Sequence, residues 1–288
     1  LKEPFEGLFT QGMVCHETYK DDKGNWLNPE EISTNNGKNF YVKKDPTKLV
    51  KVGPSESMSK SKKNTIDPQD IIEKYGADAV RFFILSDSPP EKDIQWSDEG
   101  MISSYKFIQK FWSLSEQVLN ITNCKLEEQN EELEVFTNQI INKINQALNK
   151  FRYNVIIATY HEIYSYLRKI TENKKNYKNL RSNFEKIILT MMPVIPHIAS
   201  ECLSEFSYKK NLDWPEIDSK YLVKENKEIV IQINGKKRSS IVVEDNITEQ
   251  KIMEKIKKQK LIEKYLNDKK ILKTIYVKNR IINYIVND

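Results

Sequence analysis

Ser57-Met58-Ser59-Lys60-Ser61-Lys62-Lys63-Asn64 is a polar, cationic loop, and the pair Asp67-Pro68 follows it closely. An Asp at a helix cap accepts hydrogen bonds from orphaned amides, and Pro suits the first turn because its missing N–H would be unpaired there anyway. The spacing predicts a short helix whose apolar stripe is Ile71, Ile72 and Tyr75, stopped by Gly76. A second helix is expected from Ala77 to Ser86, with Val80, Phe83 and Ile84 inward, before Ser88-Pro89-Pro90 breaks the chain. The loop therefore separates two kinds of structure.

Upstream of it, residues 1–56 read as short strands and turns, with turn signals at Asp22-Lys23-Gly24-Asn25 and Asn35-Asn36-Gly37. Downstream, residues 98–207 carry helical periodicity: Phe107, Phe111 and Leu114 recur at three- and four-residue spacing, as do Ile140, Ile144 and Leu148. Residues 151–170 and 182–206 continue the pattern, with Pro193 and Pro196 kinking or delaying the last helix. Four or five antiparallel helices fit, with Glu127-Glu128 and Glu131-Glu132 in an exposed connection. The aromatics Tyr105, Phe107, Phe111 and Trp112 could stack on bases, but their helical spacing favours a core.

Trp214-Pro215 marks a boundary, after which the period changes to two. Ile229, Ile231 and Ile233 alternate with Val230, Gln232 and Asn234; Asn234-Gly235 signals a turn into Ser240–Val243. A helix over 248–266 carries Ile252, Ile256, Ile262 and Leu266 on one side, and strands are expected at Thr274–Val277 and Ile281–Val286. The expectation is a multidomain chain, α/β plus all-α: 1–97 with the loop and two junction helices, a helical bundle over 98–215, and a small basic β-β-α-β-β domain of α+β type over 216–288.

The chain has 288 residues, 39% hydrophobic and 30% charged, a globular composition. No stretch approaches the roughly 20 apolar residues of a membrane span, and no secretory signal opens it. It begins at Leu1 rather than Met, which suggests a fragment or a processed product. Cys15, Cys124 and Cys202 form no CxxC pair, and His16, His161 and His197 are equally scattered, so unpaired thiols in a reducing cytosol are expected and no metal site. Net charge is +5, unevenly spread: residues 219–288 carry +8 and the rest −3. A basic tail suits a nucleic-acid partner, since Lys and Arg displace counterions from phosphates; a solvated Lys-rich surface reads equally well from charge alone.

Small hydroxyl residues let a backbone approach phosphates, and Lys adds a mobile point charge. The loop at 57–64 can therefore neutralise charge that builds on a triphosphate as pyrophosphate departs, although a Ser/Lys-rich stretch taken alone reads more readily as a disordered linker. It is neither a GxxxxGK[ST] P-loop nor a kinase Gly-rich loop. Met58-Ser59-Lys60-Ser61 matches four of the five positions of the Lys-Met-Ser-Lys-Ser signature of class I aminoacyl-tRNA synthetases. With Lys62-Lys63-Asn64, Asp67-Pro68 and Tyr75-Gly76-Ala77-Asp78-Ala79-Val80-Arg81 after it, the succession resembles the segment that joins catalytic core to anticodon-binding helices in the Leu/Ile/Val/Met subgroup.

Further stretches resemble leucyl-type enzymes of bacterial kind: Glu3-Pro4-Phe5, Leu8–Val14, Trp26-Leu27-Asn28-Pro29, Ser86–Glu91, Gln95-Trp96-Ser97 and Gln232–Arg238. The resemblance covers essentially the whole chain and corresponds to the C-terminal part of such an enzyme. It implies the end of a Rossmann-type core in 1–97, an anticodon-binding-type bundle in 98–215 and a tRNA-binding domain in 216–288. It implies a cytoplasmic leucine–tRNA ligase using ATP with Mg2+, leucine and tRNA(Leu), monomeric and free of membranes.

By position, the resemblance implies that Lys60 is the catalytic residue and that Met58, Ser59, Lys60 and Ser61 form the ATP-binding loop. Ser57 replaces the first signature lysine, a loss that Lys62 and Lys63 could partly offset. Arg81 is expected to hold the junction together, and Lys236, Lys237 and Arg238 to contact tRNA phosphates. No His-x-Gly-His motif can be built from the three histidines, so this stretch alone is expected to bind tRNA without catalysing. A stand-alone RNA-binding protein derived from a synthetase, or another member of the subgroup, remains open at this point.

Overall fold

The computed structural model describes residues 4–34, 39–208, 211–222, 226–244, 247–259, 261–266 and 269–287. The turn expected at Asn35-Asn36-Gly37, and Glu3, lie outside them. The chain divides into two units, Leu1–Tyr221 and Leu222–Asp288, each taken by itself below.

The first unit opens with β1 (Val14–Lys20), β2 (Trp26–Leu27), a 3-10 turn (Pro29–Glu31), β3 (Ile32–Thr34), β4 (Phe40–Val42), β5 (Asp45–Leu49) and β6 (Lys51–Ser57). Helices α1 (Pro68–Tyr75) and α2 (Ala77–Ser86) and strand β7 (Ile94–Gln95) complete this part. β1 is the hub of one small sheet: it pairs antiparallel with β2 and β6, and parallel with β7 in the register Val14↔Ile94. A second, antiparallel sheet has the order β3-β4-β5. This is a mixed α/β arrangement in which parallel pairing is confined to β7 and β1 among the described residues before α3.

The helical region holds α3 (Asp98–Thr122), β8 (Leu126–Glu127), α4 (Glu131–Leu148), α5 (Tyr153–Glu172), β9 (Asn176–Tyr177), α6 (Leu180–Met191) and α7 (Pro196–Glu205). The expected apolar stripes face inward: Phe107, Phe111, Leu114, Ile140 and Ile144 are buried, Leu148 partly so. Phe82, Phe107, Phe111, Phe184 and Phe206 form a ladder of ring contacts with centroids 4.5 to 6.3 Å apart. Phe107 and Phe111 are thus core residues, and Tyr105 and Trp112 pack against core clusters from the partly buried side. The acidic stretch lies between α3 and α4 with Glu128, Glu131 and Glu132 exposed, as expected; within it β8 pairs with β9, and Glu131 and Glu132 already begin α4, where negative charge suits the helix N-terminus.

Two sequence expectations are refined. Of the two outcomes expected at Pro193 and Pro196, the last helix is delayed, not kinked: the run over 182–206 is split into α6 and α7, with Pro196 in the first turn of α7. In α2, Phe83 is buried as expected, but Ala79 and Phe82 are also buried, while Val80 and Ile84 are only partly covered. α2 lies between α1 and the bundle, so it has two apolar faces where the sequence pattern suggested one.

That position makes α2 a clamp. Asp78, nearly fully buried, accepts hydrogen bonds from the Ile198 amide at 2.7 Å, the His197 amide at 3.4 Å and the His197 ring Nδ1 at 2.8 Å. One turn on, Arg81 donates to the Val194 carbonyl at 2.8 Å and the Pro193 carbonyl at 2.7 Å. Asp78 therefore caps α7 from another helix, satisfying amides that have no partner inside α7. Arg81 holds the junction, as expected.

The boundary of the first unit falls beyond Trp214-Pro215 because the strap after α7 is still tied to α4. Trp214 Nε1 donates to Asn145 Oδ1 at 2.7 Å, and the Asp218 amide to Asn138 Oδ1 at 2.8 Å. The expected division near residue 97 lies inside this unit, where α2 packs against α3 through Phe82 and Phe107.

The second unit is built from β10 (Asn226–Ile233), β11 (Lys236–Glu244), α8 (Glu249–Lys258), α9 (Glu263–Leu266), β12 (Ile271–Val277) and β13 (Ile281–Val286). Its sheet has the order β11-β10-β13-β12, parallel at the centre between β10 and β13 and antiparallel on both flanks. Ile229, Ile231, Ile233, Ile282, Tyr284 and Val286 bury one face under Ile252, Ile256 and Ile262. The single helix expected over 248–266 is two helices, and the third strand starts at Ile271, three residues earlier than its β-branched run suggested.

Asp78→Ala removes the acceptor for the α7 amides and should lower the unfolding free energy by about 2 kcal/mol. A urea unfolding midpoint equal to wild type would mean that those amides find another partner.

Candidate functional site

The loop hangs from a two-strand frame. β1 and β6 pair from Lys20↔Lys51 to Cys15↔Ser57, and the Met58 amide continues the ladder by donating to the Val14 carbonyl at 3.1 Å. Ser57 is thus the last residue of a strand. The chain then turns at Met58–Asn64 and runs through Thr65 and Ile66 to the Asp67 cap, whose side chain accepts from the Gln69 amide at 2.9 Å.

Asn64 locks the turn. It is fully buried, and its Nδ2 donates to the carbonyls of His16 (3.2 Å) and Glu56 (3.1 Å), one on each strand. Its Oδ1 accepts from the Ser59 amide at 2.9 Å. Inside the loop, Ser59 Oγ lies 3.3 Å from Ser61 Oγ, and the Lys63 amide donates to the Lys60 carbonyl at 3.3 Å. Lys63 closes the turn at φ 52°, a left-handed conformation that crowds a Cβ and costs a non-glycine residue on the order of 1 kcal/mol.

The three lysines have different fates. Lys62 forms an ion pair with Glu56 on β6, so its ammonium is already engaged. That weakens it as a replacement for the lysine missing at Ser57. Lys63 is exposed on the turn. Lys60 is exposed at the loop tip with no side-chain partner among the described residues, and it lines a cleft of 460 Å³ with Asn28, Pro29, Glu30, Thr65, Ile66, Asp67 and Pro68. The far wall is the 3-10 turn, where the Asn28 amide donates to Glu31 Oε2 at 2.8 Å. Met58, Ser59, Lys60 and Ser61 are therefore together on one turn anchored by Asn64, with an unpaired cation beside a cleft.

Behind the frame, His16 is half-buried, and burial holds its imidazole below the usual range, so it is neutral at pH 7. Tyr19 donates its hydroxyl to Glu17 Oε2 at 3.0 Å, and burial followed by that hydrogen bond pushes its phenol upward. Neither side chain presents a proton to the cleft. Among the described residues no group of three or more His, Cys, Asp or Glu is placed to hold a metal, and no helix is long and apolar enough to cross a membrane.

Lys236, Lys237 and Arg238 begin β11, directly after Asn234 (φ 47°) and Gly235 (φ 77°). The turn is fixed to β13: Asn234 Oδ1 accepts from the Val286 amide at 2.9 Å, and the Gly235 amide donates to Asn283 Oδ1 at 3.1 Å. All three basic residues are exposed, but Arg238 lies over the Tyr265 ring, 5.0 Å from its centroid. A guanidinium held on an aromatic face is less mobile than its two lysine neighbours.

Asn64 and Asp78 are the site residues that the sequence did not single out for a role. The partners of Asn64 lie 48, 8 and 5 residues away, and those of Asp78 about 120, so no local spacing could reveal either.

A family model for tRNA synthetases class I (I, L, M and V) matches residues 45–97, and one for the anticodon-binding domain of tRNA ligase matches 130–272. The leucine–tRNA ligase of Bartonella tribocorum is 38% identical over 301 positions, and that of Rickettsia bellii 36% over 289; each alignment takes in 99% of this chain and 34% of the relative. The chain thus spans about a third of the length of the curated relatives it matches. A crystal structure of a LeuRS–tRNA–LeuAMS ternary complex from Agrobacterium radiobacter matches the fold with a TM-score of 0.59 at 24% identity, over 81% of this chain and 31% of that one.

Lys63→Gly should relieve the left-handed strain and raise the unfolding free energy by about 0.5–1 kcal/mol. Chemical denaturation measures this; a lower midpoint would show that unfolded-state entropy outweighs the strain.

Proposed function

We propose that this chain, which belongs to the leucine–tRNA ligase family of class I synthetases, supplies the phosphate-handling loop and tRNA-holding segments of an enzyme that charges tRNA(Leu) with leucine. The observation that carries the reading is the turn at 58–64, which leaves Lys60 unpaired at the mouth of a cleft while Lys62 is tied to Glu56. Residues 1–97 act as the end of a Rossmann-type core, 98–215 as the anticodon-binding-type bundle, and 216–288 as a small basic tRNA-binding domain. The protein works as a cytoplasmic monomer.

The reaction runs in two steps. A leucine carboxylate oxygen attacks the α-phosphorus of ATP, and the bond to pyrophosphate breaks. A terminal tRNA hydroxyl then attacks the leucyl carbonyl, and AMP leaves. Lys60 stabilises the charge that gathers on the departing pyrophosphate, with the hydroxyls of Ser59 and Ser61 and the backbone at Met58 shaping the turn around it. Magnesium carried by the nucleotide would shield phosphate charge; among the described residues no group of three or more His, Cys, Asp or Glu is placed to hold it. The 288 residues contain no His-x-Gly-His, so by themselves they bind tRNA without activating leucine. The bundle and the basic unit grip tRNA by shape and phosphate contacts.

In a protein that carries this chain together with the remainder of its relatives' length, Lys60→Ala should reduce leucine-dependent ATP–pyrophosphate exchange on the order of a hundredfold. Its affinity for tRNA(Leu) should not change. Exchange at the wild-type rate would remove Lys60 from the mechanism. Replacing Lys236, Lys237 and Arg238 together with Ala should flatten the plot of log affinity for tRNA(Leu) against log salt by about 2 in slope. An unaltered slope would mean that these residues are merely solvated.

A further inference from the structure

Asn64 has an unusual place for a polar residue in a cationic loop: it is fully buried, and all of its hydrogen bonds go to backbone atoms. A buried amide is costly unless satisfied, and here both amide hydrogens and the carbonyl oxygen have partners. Those partners belong to three separate segments: β1 at His16, β6 at Glu56 and the loop itself at Ser59. One side chain therefore staples the start of the loop to both strands of its frame.

The rest of the loop has little else to hold it. Its internal contacts are the 3.3 Å approach of Ser59 and Ser61, long hydrogen bonds at Lys62 (3.4 Å) and Lys63 (3.3 Å), and the half-buried Lys62–Glu56 pair. Stretched hydrogen bonds and an ion pair still open to solvent contribute less to local order than a buried, fully satisfied amide. Lys63 is also strained in the left-handed region. Without a buried anchor, a seven-residue turn of Ser and Lys would sample many conformations, and Lys60 would have to be ordered at each encounter with a triphosphate.

We propose that Asn64 is a positioning residue: by pinning the Ser59 amide to β1 and β6 it presets the turn, so that the Lys60 ammonium is presented to the phosphates without an ordering step. The proposal rests on the phosphate-handling role of the loop, but its structural half stands apart from that role. Asn64 itself touches no substrate; it acts through Ser59 on Lys60. Pre-organised groups stabilise a transition state because their ordering was completed on folding.

The test has two arms. In the first, amide hydrogen exchange at Ser59 is measured in this chain and in Asn64→Ala, Asn64→Asp and Lys60→Ala. Asn64→Asp keeps an acceptor for the Ser59 amide but turns a carboxylate oxygen towards the His16 and Glu56 carbonyls. Both Asn64 variants should exchange Ser59 faster by about tenfold or more, with Val118 in α3 unchanged, while Lys60→Ala leaves Ser59 at the wild-type rate. Wild-type protection at Ser59 in Asn64→Ala, or full protection in Asn64→Asp, overturns the staple. Acceleration at Val118 as well shows a general loss of fold and also overturns it.

In the second arm, leucine-dependent ATP–pyrophosphate exchange is followed in the longer protein. Asn64→Ala should lower kcat on the order of tenfold with the KM for leucine unchanged. An equal rise in the KM for leucine would indicate a general defect and count against positioning. Absence of exchange in the wild-type protein would instead sink the functional reading, leaving the Ser59 result to judge the staple alone.

Discussion

The break between α6 and α7 leaves the carbonyls of Pro193 and Val194 in a turn, and the amides of His197 and Ile198 without partners inside α7. α2 satisfies both sets with two side chains one turn apart: Arg81 takes the carbonyls and Asp78 the amides. The anion sits against the N-terminus of α7, where negative charge is favoured, and the cation against the carbonyls of the turn that precedes it. Because α1 and α2 follow directly from the loop at 58–64, this clamp fixes the loop-bearing part of the first unit to the bundle. The Phe82–Phe107 stack adds an apolar contact at the same joint.

The loop is held at its other end by a different device. A strand pair, closed by the Met58–Val14 hydrogen bond and stapled by Asn64, delivers a short turn on which Lys60, without a side-chain partner among the described residues, borders the cleft. The lysine nearest the frame is consumed by Glu56. Placement of charge in this loop follows from which side chains reach the strands, and not from the count of lysines. Ser57, the departure from the family signature, lies on the strand end rather than on the turn, so its loss of charge leaves the turn itself intact.

The basic unit repeats the principle on a smaller scale. Asn234 uses its side chain to cross-link the hairpin turn to β13, which fixes the base of β11 where Lys236, Lys237 and Arg238 emerge. Tyr265 restrains Arg238 further. A cationic group with little freedom loses less entropy on meeting a phosphate than a free one.

The helices, the Asn-Gly hairpin and the loop were readable along the chain because each is governed by near neighbours: capping by Asp67 and Pro68, apolar spacing in α3 and α4, the alternating isoleucines of β10. The signature at 58–61, which carried the family resemblance, is likewise a contiguous string. The separation of α6 and α7 was visible only as two prolines, and whether the helix would bend or stop depended on α2 being present to satisfy the freed backbone groups. The roles of Asn64, Glu56 and Asp78 were decided by folding alone. The hydrogen bonds of Asn64 and Asp78 reach an opposite strand or a helix far along the chain, Glu56 meets Lys62 only once the chain has turned, and a polar side chain's value depends on what it meets when water is excluded.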